Sequence, residues 1–231
     1  YCSNPTGFEP YIEEIDSIRS VYDEQNGRCQ LMVGYNRRFA PHIKKMKSLL
    51  EPISEPKVFI MTMNAGYIPG DHWIQDREVG GGRIIGEACH YIDLMRYLVG
   101  SKISSYTTTI MGPKAGMDVI EDKATLTLSF EDGSFGTIHY LANGSRTFPK
   151  ERIEVFSNGG VLQLDNFRKL TGFGWRGFKS DKLFRQDKGQ LACTETFVKA
   201  IKNGKPSPIG FDEIIEVAEV SINIASELRY K

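Results

Sequence analysis

Apolar residues recur at helical spacing early in this chain and at alternating spacing later, and the switch divides it. Ile12, Ile15, Ile18 and Val21-Tyr22 fall three or four apart, which lines one face of an α-helix. Asn26-Gly27 then supplies the left-handed backbone that small or Asx residues adopt cheaply at a helix end. Cys29 to Gly34 is short and apolar, the pattern of a buried strand, so helix and strand match the last unit of a parallel α/β sheet. A whole parallel sheet does not fit in front of that unit. The expectation is therefore that residues 1–34 are the remnant of a domain lying mostly upstream, and that 35–231 form a second domain.

Pro41 opens a second helix, where its fixed φ and missing N–H cost nothing, and Ile43, Met46 and Leu50 give it an apolar face. From Lys57 the pattern predicts strands: Lys57 to Met63, Ile103 to Met111, Lys123 to Phe130, Ser134 to Leu141, Ile153 to Phe156 and Val161 to Leu164. Asp132-Gly133 and Asn158-Gly159-Gly160 mark two hairpins. Helices are predicted over Arg83 to Leu98, Thr194 to Lys202 and Asp212 to Leu228, the last with Asp212 as N-cap. The fold class is α+β, a mostly antiparallel open β-sheet with helices on one face, preceded by the last helix-strand unit of a Rossmann-type domain.

Composition removes several classes of function. The 231 residues carry 29 basic and 29 acidic side chains, which argues against a nucleic-acid partner. No run approaches the ~20 apolar residues of a membrane span, so no membrane partner is expected. Cys2, Cys29, Cys89 and Cys193 are too scattered for a zinc site or a disulfide framework, and a soluble protein in a reducing cytoplasm is the expectation.

Polar chemistry is densest from Gly80 to Asp93. In a helix starting near Arg83, Glu87, His90 and Asp93 lie three apart on one side, with Ile85, Cys89, Ile92 and Met95 on the other. Buried charges need partners, and a histidine held by a carboxylate can act as acid or base near neutral pH. The alternative is a partly exposed helix start whose Glu87 and Asp93 face water. Asn64 follows a strand end, and His72-Trp73 lies in the loop before the glycines; Trp73 suits the apolar face of a sugar ring or, equally, a buried loop anchor. Asn36-Arg37-Arg38-Phe39 follows the first predicted strand, where open α/β sheets bind ligands, or else is solvated surface charge.

Other signals carry less. Gly172 to Gly177 has the spacing of a dinucleotide-binding loop but no following helix, so it reads as a sheet-edge loop. Glu87-Ala-Cys-His90 has the form of a di-iron motif without the second copy such sites need, and His42, His72, His90 and His139 show no paired spacing, so no metal is expected. Asn143-Gly-Ser145 is a glycosylation pattern without a secretory context.

Four segments together resemble one family. Met32 to Pro41, Gly80 to Asp93, the Phe130 to Gly136 hairpin and Glu195 to Gly204 resemble the Gfo/Idh/MocA oxidoreductases, and the wording of Asn64 to Asp93 is similar to the subgroup fused to a zinc-type alcohol-dehydrogenase-like domain. The resemblance implies a substrate-binding and oligomerisation domain over 35–231, paired with an upstream cofactor domain. It implies His90 as the acid/base at a substrate hydroxyl, with Glu87 beside it, and hydride exchange with NAD or NADP. Asn64, His72, Trp73, Arg83 and Asp93 would contact a carbohydrate-like substrate, Asn36 and Arg38 would lie near the cofactor, and homo-oligomers would form through the sheet face. Two departures stand out. Gly86 occupies the place of an aspartate four residues before the histidine, and Ser3-Asn4-Pro5 stands nearest to the expected Glu-Lys-Pro, so Asn4 replaces the lysine or the true position lies upstream.

Three readings follow. The first is the substrate domain of a nicotinamide-dependent dehydrogenase for a sugar, sugar nucleotide or cyclitol, inactive as a fragment. The second is a non-catalytic carbohydrate-binding or assembly module that has lost the lysine. The third is metal chemistry at Glu87 and His90.

Overall fold

A computed structural model describes residues 9–76, 79–112 and 119–229; Asn4 lies outside them. Among the described residues the helices are α1 (Glu9–Glu24), α2 (Pro41–Leu50), α3 (Cys89–Val99), α4 (Gln190–Lys202) and α5 (Phe211–Arg229). The strands are β1 (Val58–Asn64), β2 (Ile103–Ile110), β3 (Lys123–Phe130), β4 (Phe135–Leu141), β5 (Glu151–Ser157), β6 (Gly160–Asp165), β7 (Lys169–Phe173) and β8 (Ser180–Lys182). They form one sheet in the order β2-β3-β4-β1-β5-β6-β7-β8, in which β1 and β4 run parallel and every other pair antiparallel.

Alternation decides which side of each strand is buried. Phe59, Met61 and Met63 of β1, Leu126 and Leu128 of β3, Ile138 and Tyr140 of β4, and Ile153 and Val155 of β5 share one core with Ile43, Met46 and Leu50 of α2 and with Ile92 and Met95 of α3. The opposite face is mixed. Thr125, His139, Thr62 and Arg152 stand side by side across it, with Thr125 and His139 3.0 Å apart, while Phe135 and Phe156 lie exposed nearer one end.

Helix α1 ends as its sequence predicts, with Asn26 and Gly27 at positive φ (47° and 78°). Tyr22 stacks on Phe211 of α5 at 3.8 Å. Cys29 to Gly34 does not form the expected strand. A parallel strand draws its hydrogen bonds from a neighbour, and no described strand runs beside this segment. Instead the Leu31 carbonyl accepts from Ser207 Oγ at 2.8 Å and Gln30 donates to the Lys205 carbonyl at 2.7 Å. Helix α5 begins at Phe211, so Asp212 sits inside its first turn rather than capping it, where a carboxylate still favours the positive end of the helix. The Gly172 to Gly177 segment is the end of β7 and the start of its connection to β8.

The glycine-rich segment departs most from simple expectation. Ile84–Ala88 is a π-helical turn, with the Cys89 N–H reaching back to the Ile84 carbonyl, before α3 proceeds normally. Gly80 is required because a Cβ there would fall 2.5 Å from the Ile74 Cα and the Trp73 carbonyl oxygen. The Gly82 N–H bonds the Ile74 carbonyl at 3.0 Å, which ties the turn of Trp73–Gln75 down onto the helix start.

Candidate active site

The widened turn separates Glu87 from His90 and Asp93, which share the regular α3. Glu87 points to the sheet, where its Oε2 accepts from Tyr140 Oη at 2.6 Å and from Arg83 at 3.0 Å, and its Oε1 from Lys150 Nζ at 2.8 Å. Asp93 is fully buried and accepts two hydrogen bonds from Arg38 Nε at 2.8 and 2.9 Å and one from Nη2 at 2.6 Å. His90 joins neither: its ring meets Tyr35 edge-on at 5.9 Å, and its buried Nδ1 has no protein partner. The sequence places all three on one side of a regular helix; a turn closed five residues back rather than four moves Glu87 off that line.

A second carboxylate completes the surroundings of His90. Glu151, at the inward-facing start of β5, accepts from Arg37 at 3.0 Å, lies 2.6 Å from Lys188 Nζ and takes a short hydrogen bond from Tyr91 Oη. Arg37 also lies over the Tyr91 ring at 4.7 Å. The adjacent residues Lys150 and Glu151 thus serve two different networks from one strand end.

These contacts set the charge states. Burial opposes ionisation of Glu87, but Lys150, Tyr140 and Arg83 outweigh it and hold its carboxyl down at about 2. It is a permanent anion rather than a proton acceptor. Burial and then Arg37 lower His90 to about 4, so the imidazole is neutral at physiological pH. Glu151 is likewise lowered: burial opposes its charge, and Arg37, Lys188 and Tyr91 prevail. Asp93 goes the other way, raised by burial to about 6 despite Arg38.

The other expected site residues divide. Trp73 is 60% exposed, so the buried-anchor alternative falls and its ring stands open. His72 beside it accepts the Ile74 N–H on Nδ1 at 3.3 Å. A Cβ on Gly86 would touch Ile74 Cδ1 at 3.4 Å, which places this loop over the helix start next to Glu87. Asn64 is elsewhere: its side chain lies on the far face of the sheet and donates to the carbonyls of Ser145 and Phe148 at 2.7 and 3.2 Å, anchoring a loop. Arg83 is 2% exposed and binds the carbonyls of Gly66 and Ala65 at 2.6 and 3.1 Å as well as Glu87. Arg38 is occupied by Asp93 and by Glu213 at 2.7 Å, and Asn36 donates to the Lys188 carbonyl at 2.7 Å. Neither Asn36 nor Arg38 is therefore arranged as a cradle for a dinucleotide. Among the described residues no three His, Cys, Asp or Glu side chains converge as metal ligands, and no helix is long and apolar enough to cross a membrane.

Sequence reading missed Lys150, Glu151, Lys188, Tyr91 and Tyr140 as members of the site, while Arg37, read as ligand-binding or solvated, is buried. One signal was available. Glu151 lies in step with the apolar Ile153 and Val155, and a charge on the buried side of a strand demands partners.

Comparison with known proteins agrees with this architecture. Residues 44–163, just over half of the chain, match the model of the GFO/IDH/MocA C-terminal domain. The chain is 26% identical to a myo-inositol 2-dehydrogenase of Thermotoga maritima over 225 residues, covering 92% of this chain and 65% of that protein. It is 25% identical to an inositol 2-dehydrogenase of Rhizobium meliloti over 244 residues, covering 99% of this chain and 72% of that protein. The fold superposes on levoglucosan dehydrogenase, solved with NADH and levoglucosan, with a TM-score of 0.77 at 20% identity, covering 94% of this chain and 69% of that one. The chain thus spans less than two thirds of the Thermotoga relative. An α+β sheet of this topology, a His90-bearing helix packed beside it and a family match across more than half the residues lead to one conclusion: the chain belongs to the GFO/IDH/MocA family.

Proposed function

We propose that this chain is the substrate domain of an oxidoreductase that passes hydride between NAD or NADP and a hydroxyl-bearing carbon of a sugar, sugar nucleotide or cyclitol. The observation that carries the reading is His90: neutral, partly exposed, unpaired at its buried Nδ1 and set between the carboxylate networks of Glu87 and Glu151. In the oxidation direction the substrate hydroxyl gives its proton to the His90 imidazole as its carbon gives up hydride. The nicotinamide, held by a dinucleotide-binding domain outside the described residues, supplies the hydride acceptor. Glu87 acts through others, fixing Lys150, Tyr140 and Arg83, while the exposed Trp73 ring offers an apolar wall to a sugar. The open sheet face, with Phe135 and Phe156 exposed, serves self-association.

The test is NAD+ and NADP+ reduction by the full-length protein with myo-inositol, levoglucosan and UDP-N-acetylglucosamine, compared with His90→Ala. The expected result is turnover on one of these classes, with a loss of about 10²–10⁴-fold in kcat for the variant. A second reading rests on Gly86, which leaves His90 without the carboxylate that the family sets four residues before it: a non-catalytic carbohydrate-binding module. Turnover that His90→Ala leaves unchanged, or saturable sugar binding with no turnover at all, selects that reading.

A further inference from the structure

We infer that the substrate of this site carries an anionic group, a carboxylate or a phosphate on a sugar or polyol, which Lys150 and Lys188 hold beside His90. The inference takes the site from the reading above and adds the chemistry of what binds there.

Charge around His90 is not balanced. Glu87 is shared by Arg83 at 3.0 Å and Lys150 at 2.8 Å, and Glu151 by Arg37 at 3.0 Å and Lys188 at 2.6 Å. Four cations thus meet two carboxylates. Neighbouring acids narrow the gap without closing it: Asp122 lies 3.8 Å from Arg83 but brings Lys123 with it at 2.6 Å, and Asp187 accepts the neutral Gly189 N–H at 2.7 Å and keeps its charge, so five cations face four carboxylates. The surplus is presented unevenly. The arginines are interior, with side chains 7% and 2% exposed for Arg37 and Arg83, whereas the lysine side chains are 42% exposed at Lys150 and 17% at Lys188. Positive charge crowded in a partly buried site favours an anion that completes it.

Both lysines are delivered by fixed parts of the fold. Glu87 holds Lys150 from the widened turn. Lys188 is set by Asn36, which bonds its carbonyl, and by Gly189, where a Cβ would fall 2.5 Å from the Asn36 carbonyl oxygen and the Ala40 nitrogen. A compact ammonium on a flexible stem can follow either a carboxylate or a phosphate. An anion there would also offset Arg37 and Lys188, two of the groups that depress His90, and so make the imidazole a better proton acceptor once substrate is bound.

The test follows His90 by NMR in histidine-labelled full-length protein with D-glucuronate, glucose 6-phosphate, myo-inositol and NADH as separate probes. One or both anionic probes should shift the His90 ring signals and raise its pKa above about 4. Lys150→Met and Lys188→Met should each weaken that binding about tenfold or more, with Lys→Arg at either site restoring much of it and added salt weakening the wild type. Lys150→Met leaves Glu87 with Arg83 and Tyr140, whereas Lys188→Met leaves the buried Oε2 of Glu151 without a partner, so Lys188→Arg, which keeps that ion pair, and the unfolding midpoint of each variant are read beside binding. The tighter of glucuronate and glucose 6-phosphate assigns carboxylate or phosphate. The inference is overturned if myo-inositol binds as tightly as the anions, if neither anion moves His90, or if NADH is the probe whose binding the lysine variants lose. Anion binding without any reduction of NAD+ or NADP+ leaves this inference standing and sinks the dehydrogenase reading; oxidation of neutral polyols indifferent to both lysines does the reverse.

Discussion

Two ionic networks lie on one helical segment and have opposite characters. At its regular end, Arg38 is enclosed between Asp93 and Glu213, and Arg96 pairs with Glu216 at 3.1 Å. The central pair there is buried, with side chains 5% and 0% exposed. At the widened end, around Glu87 and His90, bases outnumber acids and the lysines reach solvent. The first network is closed by its own geometry and joins α3 to α5 and to the turn bearing Arg38. The second is complete only when something else enters. The difference teaches that charge on a helix is not itself a site; a site is where charge remains unmatched at an accessible edge.

The largest expected effect breaks the closed network. Asp93→Ala leaves Arg38 buried with only the half-exposed Glu213 as partner, and should cost about 3–5 kcal/mol in urea unfolding. Glu213→Gln, which removes a partner that is 35% exposed, should cost under about 1 kcal/mol and serves as control. Equal losses for the two would show that the closed network does not depend on its buried pair.

A smaller effect is expected at the open end. Glu87→Gln keeps the shape but weakens the bonds from Tyr140 and Arg83, at a cost of about 1–3 kcal/mol, while Lys150 loses its anchor. In turnover assays of the full-length protein, Glu87→Gln should raise KM more than it lowers kcat, since its role is to position others. An equal fall in kcat and kcat/KM would instead place Glu87 in the transition state.

The smallest effect, and the sharpest contrast, is in pH dependence. His90 is lowered from its ordinary 6.5 to about 4, so the folded state binds fewer protons than the unfolded chain in that window, and stability falls as pH drops from about 6.5 to about 4. Glu87 adds the same sign lower down, between its ordinary 4.5 and about 2. Asp93 opposes both: raised from 3.8 to about 6, it contributes most below about 3.8 and loses that contribution as pH rises through 6. His90→Gln should flatten the acid-side loss by about 1–2 kcal/mol after solvent screening, and Asp93→Asn should remove the opposing trend. Unfolding midpoints taken from pH 4 to 7 check both signs. An unchanged acid limb in His90→Gln means that the imidazole is not held neutral by this environment.

Much of the architecture was legible in the chain. The alternation of Ala124, Leu126, Leu128 and Phe130 against Thr125, Thr127 and Ser129 specified both a strand and its buried face, and Pro41, Asn26-Gly27 and Asp132-Gly133 marked ends and turns. These signals are local: periodicity and backbone preference act over a few residues, and tertiary packing reinforced them. His90 stood out in the chain through its spacing with Glu87 and Asp93.

What lay beyond the sequence were the partners. Cys29 to Gly34 has the composition of a strand, but a strand exists only where another edge accepts its hydrogen bonds. Glu87, His90 and Asp93 have helical spacing, but a π turn held by Gly80 and Gly82 against Ile74 turns Glu87 off the line of the other two, and Arg38 closes over Asp93 alone. Arg38 joins Asp93 across 55 positions, Glu87 joins Lys150 across 63, and Arg37 joins Glu151 across 114. The sequence by itself determined most of the helices and central strands and which side of each is apolar, since those depend on period. Only the tertiary structure decided which charges cancel and which remain, because that depends on distances between residues far apart in the chain.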